Sequence, residues 1–266
     1  MVKGFIFDLD GTIYLDNDLI DGAMEAIDYL RQEGHRIVFF TNKSISTREE
    51  YLAKLTKLGI KTKLDEIINS NYITANYLKQ NMISTDSVYV IGEAALFEEL
   101  KLANIKLADD PAMATYVVLG WDRQFTYEKL NNAYKAWAKN GAIILATNPD
   151  RTCPTADGQL PDCAAMIGAL EGATGQPIDH IMGKPSKLAA DFVVKDILQL
   201  EPEHCFMVGD RLETDIKMGY ENKLQTVLVL TGITTIDMVK GSSYKPDFIL
   251  ESIKDMTDIK EITKTF

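Results

Sequence analysis

The chain has 266 residues, 46% hydrophobic and 25% charged, a globular composition with enough apolar material for a large core, which excludes disorder over most of its length. Its 28 Lys and Arg stand against 39 Asp and Glu, for a formal net charge of -11. That field repels phosphate backbones and anionic lipid surfaces, so nucleic-acid and membrane partners are excluded and a small anionic substrate needs a local cation.

In chain order, residues 5–7 form a short apolar run that ends in Asp8-Leu9-Asp10-Gly11-Thr12. This pattern reads as a buried parallel strand delivering carboxylates to a sheet edge, where α/β sheets bind ligands. Asp8 and Asp10 are two apart and can face one pocket. Gly11 lets the chain turn, and Thr12 is expected to fasten the loop with its hydroxyl. Taken alone, the motif reads equally well as a strand end with an Asp-Gly turn.

Helical spacing of Ala23, Ala26, Ile27 and Leu30 predicts a helix over 21–33, followed by a buried strand at 36–40 that stops at Thr41-Asn42-Lys43-Ser44. An amphipathic helix follows, starting at Ser46 and carrying Leu52, Leu55 and Leu58, and then a short strand at 66–69. Three strand-helix units in this order predict a doubly wound parallel sheet.

A second βαβ-type set is expected beyond residue 82. Its strands are at 88–91, 116–119 and 143–145, and its helices at 93–102 and 126–140, the latter with Leu130, Ala133, Tyr134 and Trp137 on one face. Residues 147–163, with Pro149, Pro154, Gly158 and Pro161, read as a long loop facing a substrate. The chain returns with Gly183-Lys184-Pro185-Ser186, a helix through Leu188, Phe192 and Val193, and a strand at 205–208 that ends in Gly209-Asp210 and runs on to Thr214-Asp215. Strands at 226–230 and 247–250 follow.

Asp8, Asp10, Thr41, Lys184, Asp210 and Asp215 therefore sit at strand ends or helix starts that a parallel sheet gathers on one edge. The set suits phosphoryl transfer. Asp8 and Asp210 offer hard oxygen ligands for Mg²⁺, joined by a carbonyl such as that of Asp10. A carboxylate can attack phosphorus to give an aspartyl-phosphate. Lys184 and Thr41 can hold the equatorial oxygens, and Asp10 can protonate the leaving alkoxide and then deprotonate the attacking water. Each residue also has a plainer reading: Lys184 as a surface lysine, Thr41 as a strand-end cap, Asp215 as a helix cap or a partner behind the site.

The four motifs Asp8-Leu9-Asp10-Gly11-Thr12, Thr41-Asn42, Lys184-Pro185 and Gly209-Asp210 through Thr214-Asp215, in this order, resemble those of the haloacid dehalogenase superfamily of phosphatases. Asp10 matches the phosphatases rather than the dehalogenases. The runs Val118-Leu119-Gly120-Trp121-Asp122, Phe125 to Leu130 and Asn148-Pro149-Asp150 are similar to the NagD-like, p-nitrophenylphosphatase branch with its type IIA cap. The resemblance implies an α/β protein with a Rossmann-like core at 1–81 and 182–266 and an inserted α/β cap at 82–181. It implies a Mg²⁺-dependent hydrolase of small phosphomonoesters, sugar phosphates foremost. The substrate would lie on Thr41, Asn42, Lys43 and Lys184, with Trp121 and Cys153 at the leaving group, and the metal would be held by Asp8, Asp10 and Asp210 with Asp215 behind them. A homodimer through the cap is compatible with it.

Where relatives read Pro-Gly and a small residue, this chain has Pro161-Asp162-Cys163, expected to place a carboxylate and a thiol near the pocket mouth. Cys153, Cys163 and Cys205 form no Cys-x-x-Cys pair and no secretory leader precedes the first strand, which suits a reducing cytoplasm. Two other functions fit the same residues: transfer of the phosphoryl group to a sugar or alcohol acceptor, and a non-catalytic sensor of phosphometabolites. The intact acid/base set argues against the sensor.

Overall fold

The structure is a computed structural model that describes residues 1–155 and 158–258. Its contacts divide the chain into two compact units. One comprises Met1–Thr41, Arg48–Ile68 and the chain from Lys184 on; the other comprises Asn42–Thr47 and Asn69–Gly183.

The first unit opens with strand β1 (Gly4–Phe7), a small hairpin of β2 (Tyr14–Leu15) and β3 (Asp18–Leu19), then β4 (Arg36–Thr41) and β5 (Ile67–Asn69). The second unit carries β6 (Val88–Ile91), β7 (Tyr116–Leu119), β8 (Ile143–Ala146), β9 (Thr152–Thr155), β10 (Gly158–Pro161) and β11 (His180–Ile181). The first unit resumes with β12 (Cys205–Gly209), β13 (Gln225–Val229) and β14 (Phe248–Leu250).

The six-stranded sheet of the first unit has the order β14-β13-β12-β1-β4-β5, with β1 parallel to both β4 and β12. The chain runs outward from β1 through β4 to β5 and then restarts on the other side of β1 with β12. The strand order thus reverses between β1 and β12, the position at which doubly wound sheets open a crevice at their carboxyl ends. Asp8 follows one of these two strands and Asp210 the other.

Every residue of β1 and of β12 is buried, as the apolar runs predict. Phe5, Phe7, Phe39, Phe206 and Val208 share one face, against which the helix Ala23–Gln32 lays Ala23, Ala26, Ile27 and Leu30. Phe5 stacks on Phe206 with ring centroids 4.9 Å apart. Burying side chains of this size stabilises the fold by about 1.5–3 kcal/mol each, so the strands that carry the acidic loops are among the best anchored.

The second unit is built on a parallel sheet of order β11-β8-β7-β6. Thr126 caps the helix Tyr127–Asn140 by accepting the Lys129 N–H at 3.3 Å. Ala133 and Ala136 are its buried residues, and Tyr134, expected on the apolar face, is 38% exposed.

Several elements differ from the sequence reading, among them the hairpin β2–β3, β11 and a helix at Ile236–Gly241, which it does not contain. Residues 147–163 are not loop throughout, because β9 and β10 pair as an antiparallel ribbon with Gln159 opposite Pro154 and Pro161 opposite Thr152. A two-stranded ribbon has only edges, so prolines that look like strand breakers are accommodated. Two further helices lie outside the sequence reading: Ser70–Asn81, whose buried face mixes polar and apolar residues, and Cys163–Thr174, which buries Cys163, Met166, Ile167 and Leu170 at helical spacing. Among the described residues no helix is long and apolar enough to cross a membrane.

Candidate active site

The loop after β1 is closed by its own backbone. Leu9 O accepts the amides of Thr12, Ile13 and Tyr14 at 3.2, 2.8 and 3.2 Å, and Gly11 N–H donates to Tyr14 O at 2.8 Å. Gly11 stands at φ 82, a left-handed conformation that only glycine adopts without strain. The Thr12 hydroxyl does not fasten the loop as expected: it is buried with no hydrogen-bond partner among the described residues. The amides converging on Leu9 O do that work.

Asp8 projects from this loop into the first unit and is 7% exposed. Lys184, 2% exposed, reaches it with Nζ 2.5 Å from Asp8 Oδ1, 2.7 Å from Asp215 Oδ1 and 3.0 Å from the Phe40 carbonyl. An ammonium has three donors, and these three acceptors match them in number.

Asp210 leaves the end of β12. Its Oδ2 accepts the Ile233 N–H at 2.7 Å, while its Oδ1 is buried without a hydrogen-bond partner among the described residues. Just beyond, the turn Leu212–Ile216 is widened, with the amides of both Asp215 and Ile216 directed at Arg211 O at 3.1 Å. Widened turns of this kind recur at functional sites. This one points Asp215 back toward its own start, where Oδ2 accepts the Arg211 N–H at 3.0 Å. Asp215 thus lies inside this turn rather than at a helix N-cap, and it pairs with both the Arg211 amide and Lys184.

Carboxylate oxygens of Asp8, Asp210 and Asp215 lie within 4.8 Å of one another. Burial raises the Asp8 pKa, and Asp215 and Asp210 raise it further against the opposing Lys184. Burial and Asp215 likewise hold the Asp210 carboxyl above its ordinary range. Lys184 is destabilised as a cation by burial, but Asp215 and Asp8 more than offset this and hold it protonated. Ionised together, three carboxylates around one ammonium would carry two unbalanced negative charges, which a divalent cation could match and which burial otherwise disfavours. The orphaned Asp210 Oδ1 adds a buried acceptor with nothing to accept from. Hard oxygen donors, unbalanced charge and an open oxygen together fit a divalent metal ion.

Asp10 is the other carboxylate of the loop, and Tyr14 Oη lies 3.5 Å from its Oδ2. Thr41, buried, closes β4 beside β1. Two contributions escaped the sequence reading: Tyr14, whose ring is also covered by Lys54 Nζ at 3.5 Å, and the turn Thr231-Gly232-Ile233. The turn had a visible signal, a Thr-Gly pair directly after the apolar run 226–230, the same pattern that marks the other strand ends.

Asn42, Lys43, Trp121 and Cys153 belong to the second unit. There Asn42 O accepts Ser70 Oγ at 2.8 Å and Asn148 Nδ2 at 3.1 Å, and Asn42 Nδ2 donates to Asp150 at 3.4 Å. Ser44 Oγ accepts the Trp121 N–H at 3.1 Å. Trp121 and Cys153 are both buried.

Asp162 and Cys163, expected near a pocket mouth, are both buried. Asp162 is the N-cap of the helix Cys163–Thr174 and accepts the Cys163 N–H at 2.5 Å, and Cys163 is fully buried in the core of its unit. Burial pushes the Cys163 thiol up to about 12, and burial likewise pushes Cys205 up to about 12. Iodoacetamide at about pH 8 is therefore expected to modify neither residue in the folded protein and both after denaturation, read by peptide mass spectrometry.

Comparison with known proteins agrees with this geometry. A family model described as haloacid dehalogenase-like hydrolase matches residues 5–106, and a HAD-hydrolase-like model matches residues 181–256. The chain is 39% identical over 258 residues to the sugar-phosphatase AraL of Bacillus subtilis, covering 97% of this chain and 93% of the relative. It is 38% identical over 263 residues to an acid sugar phosphatase of Staphylococcus haemolyticus, covering 98% and 97%. Among solved structures, p-nitrophenyl phosphatase from Archaeoglobus fulgidus superposes with a TM-score of 0.90 at 35% identity, covering 97% of this chain and 98% of that one. The motifs, the two matched segments and similarity along nearly the whole chain lead to one conclusion: it belongs to the haloacid dehalogenase-like hydrolases, in their NagD-like, p-nitrophenyl phosphatase branch.

Proposed function

We propose that the protein hydrolyses small phosphomonoesters, sugar phosphates foremost, through an aspartyl-phosphate on Asp8 with Mg²⁺ as its metal. The observation that carries this reading is the buried Asp8, held against Lys184 at the reversal point of the sheet with the open oxygen of Asp210 nearby. The names of the relatives, sugar-phosphatase and acid sugar phosphatase, support the substrate class.

In this reading Asp8 and Asp210, with the Asp10 carbonyl, hold the metal, and Asp215 supports Lys184. When bound, Mg²⁺ neutralises the charge that would otherwise keep an anionic carboxylate from an anionic phosphate. An Asp8 oxygen forms a bond to phosphorus as the ester P–O bond breaks, and Asp10 gives its proton to the departing alkoxide. Asp10 then takes a proton from water, the water oxygen attacks phosphorus, and the bond to Asp8 breaks to release phosphate and restore the carboxylate. Lys184 keeps Asp8 oriented and opposes the effect of burial on its charge, and with Thr41 it is the group proposed to hold the transferring phosphoryl.

The division into a catalytic core (1–81 and 182–266) and a cap (82–181), and contacts from Trp121 and Cys153 to the leaving group, are part of the same proposal. A two-part organisation is supported by the separation of the chain into two compact units, although residues 42–47 and 69–81 cluster with the inserted unit rather than with the core. A reducing cytoplasm suits the free thiols of Cys163 and Cys205.

The test is phosphate release from a panel of sugar phosphates, phosphoglycolate, nucleotides and p-nitrophenyl phosphate, each with Mg²⁺ and with chelator. Metal-dependent release concentrated on sugar phosphates is expected. Release that is indifferent to chelator, or silence across the panel from folded protein, would sink the reading. Preference for a non-sugar ester would replace only the substrate class.

A further inference from the structure

We propose that the turn Thr231-Gly232-Ile233 sets the geometry of the metal site, with Thr231 as its positioning residue; this rests on the metal reading above. The turn follows β13, two strands away from β1 in the sheet, yet it contacts both acidic loops. Thr231 Oγ1 donates to the Gly11 carbonyl at 2.6 Å, and Ile233 N–H donates to Asp210 Oδ2 at 2.7 Å. Between these two bonds the packing leaves no room for side chains. A Cβ on Gly232 would overlap the Asp210 carboxylate, and one on Gly11 would stand 2.8 Å from that carboxylate and 3.0 Å from Gly232 Cα.

These contacts fix the oxygens available to a cation. With Oδ2 of Asp210 engaged by Ile233, the buried Oδ1 is the oxygen left open. On the other loop, both peptides flanking Gly11 are pinned. Gly11 N–H is held by Tyr14 O at 2.8 Å, so the Asp10 carbonyl, trans to it across the same peptide, points the opposite way. The next carbonyl, that of Gly11, is held by Thr231. The Ile233 contact comes from the backbone and does not depend on its side chain, which makes the Thr231 hydroxyl the side-chain group on which the arrangement turns. Outer partners that orient ligating groups are typically worth 10- to 100-fold in metal affinity.

The experiment measures Mn²⁺ binding to metal-free protein by the EPR signal of free Mn²⁺, without substrate, for the parent, Thr231→Val and Thr231→Ser. The Mg²⁺ midpoint for phosphate release and the substrate KM at saturating Mg²⁺ are measured alongside. Thr231→Val keeps the shape and removes the donor, so its Mn²⁺ affinity and Mg²⁺ midpoint are expected to weaken by about tenfold or more with KM unchanged. Thr231→Ser, which keeps the hydroxyl, is expected to restore both. Equal Mn²⁺ binding by the parent and Thr231→Val would overturn the role of the turn while leaving the metal reading intact, and so would a Thr231→Ser as weak as Thr231→Val. A folded parent that binds no Mn²⁺ would overturn both. Should Thr231→Val fail to fold, Thr231→Ala is read by the same outcomes.

Discussion

Asp8→Asn is expected to abolish phosphate release, by on the order of 10⁵-fold or more, while leaving the protein folded. The amide has nearly the shape of the carboxylate but cannot carry the phosphoryl group. Lys184 loses one anionic partner and keeps Asp215 at 2.7 Å and the Phe40 carbonyl at 3.0 Å. The buried cluster also loses a carboxyl whose ionisation burial and the neighbouring Asp215 and Asp210 disfavour. The melting temperature in chelator is therefore expected to hold or rise, the opposite of what a structural lesion would do. Acid quench of the parent during turnover should trap phosphate on the peptide that contains Asp8, and the variant should trap none. Retained turnover in the folded variant would refute the nucleophile assignment.

Lys184→Met has the opposite signature, losing activity and stability together. Phosphate release should fall by about 10²–10³-fold, because the cation that orients Asp8 and faces the transferring group is gone. Breaking a buried ion pair by removing one partner costs about 3–5 kcal/mol, and here the ammonium removed serves two carboxylates. The pH dependence follows from the direction of the shifts. Asp8 and Asp210 are held above the ordinary carboxylate range in the folded chain, so the folded state keeps protons that the unfolded state has released. The stability tied to those protons is fully present below the unfolded pKa and is lost as pH rises through the raised folded values. Removing Lys184 raises those values further. The deficit of the variant should thus be largest near about pH 8 in chelator and shrink toward about pH 5. A deficit independent of pH would show that lost packing, not exposed charge, is the cause.

Much of the site is legible because strand ends are legible. An apolar run that stops at an acidic residue announces a carboxylate at the edge of a parallel sheet, as at Asp8 and Asp210, and the order of strands brings the two together. What escaped reading lacks that signature. Thr231 and Ile233 act through one hydroxyl and one backbone N–H, which no hydrophobic period records. The helix Ser70–Asn81 was missed because its buried residues include Ser70, Asn71 and Thr74 beside Ile73 and Leu78. Those polar residues are spent on buried hydrogen bonds, such as Asn71 Nδ2 to Ser44 O at 2.9 Å, so burial and polarity coincide where a pattern search expects them to alternate. The helix Cys163–Thr174 lies outside the sequence reading although Cys163, Met166, Ile167 and Leu170 stand at helical spacing, because Gly168 and Gly172 lower the helical propensity of the run. Asp162 carries a role the sequence reading does not record, the N-cap of the helix Cys163–Thr174.

The placement of β1 at the reversal of the sheet has a consequence for how the protein is made. One neighbour, β4, follows within about forty residues, but the other, β12, begins at Cys205. At ribosomal rates of about 5–20 residues per second, the run Phe5-Ile6-Phe7 waits roughly 10–40 s with one hydrogen-bonding edge unpaired. An apolar strand in that condition is a template for another nascent chain. The same topology that joins two distant carboxylates therefore makes the emerging polypeptide dependent on chaperone shelter, and slow codons between residues 41 and 205 should increase aggregation during synthesis without altering the finished enzyme.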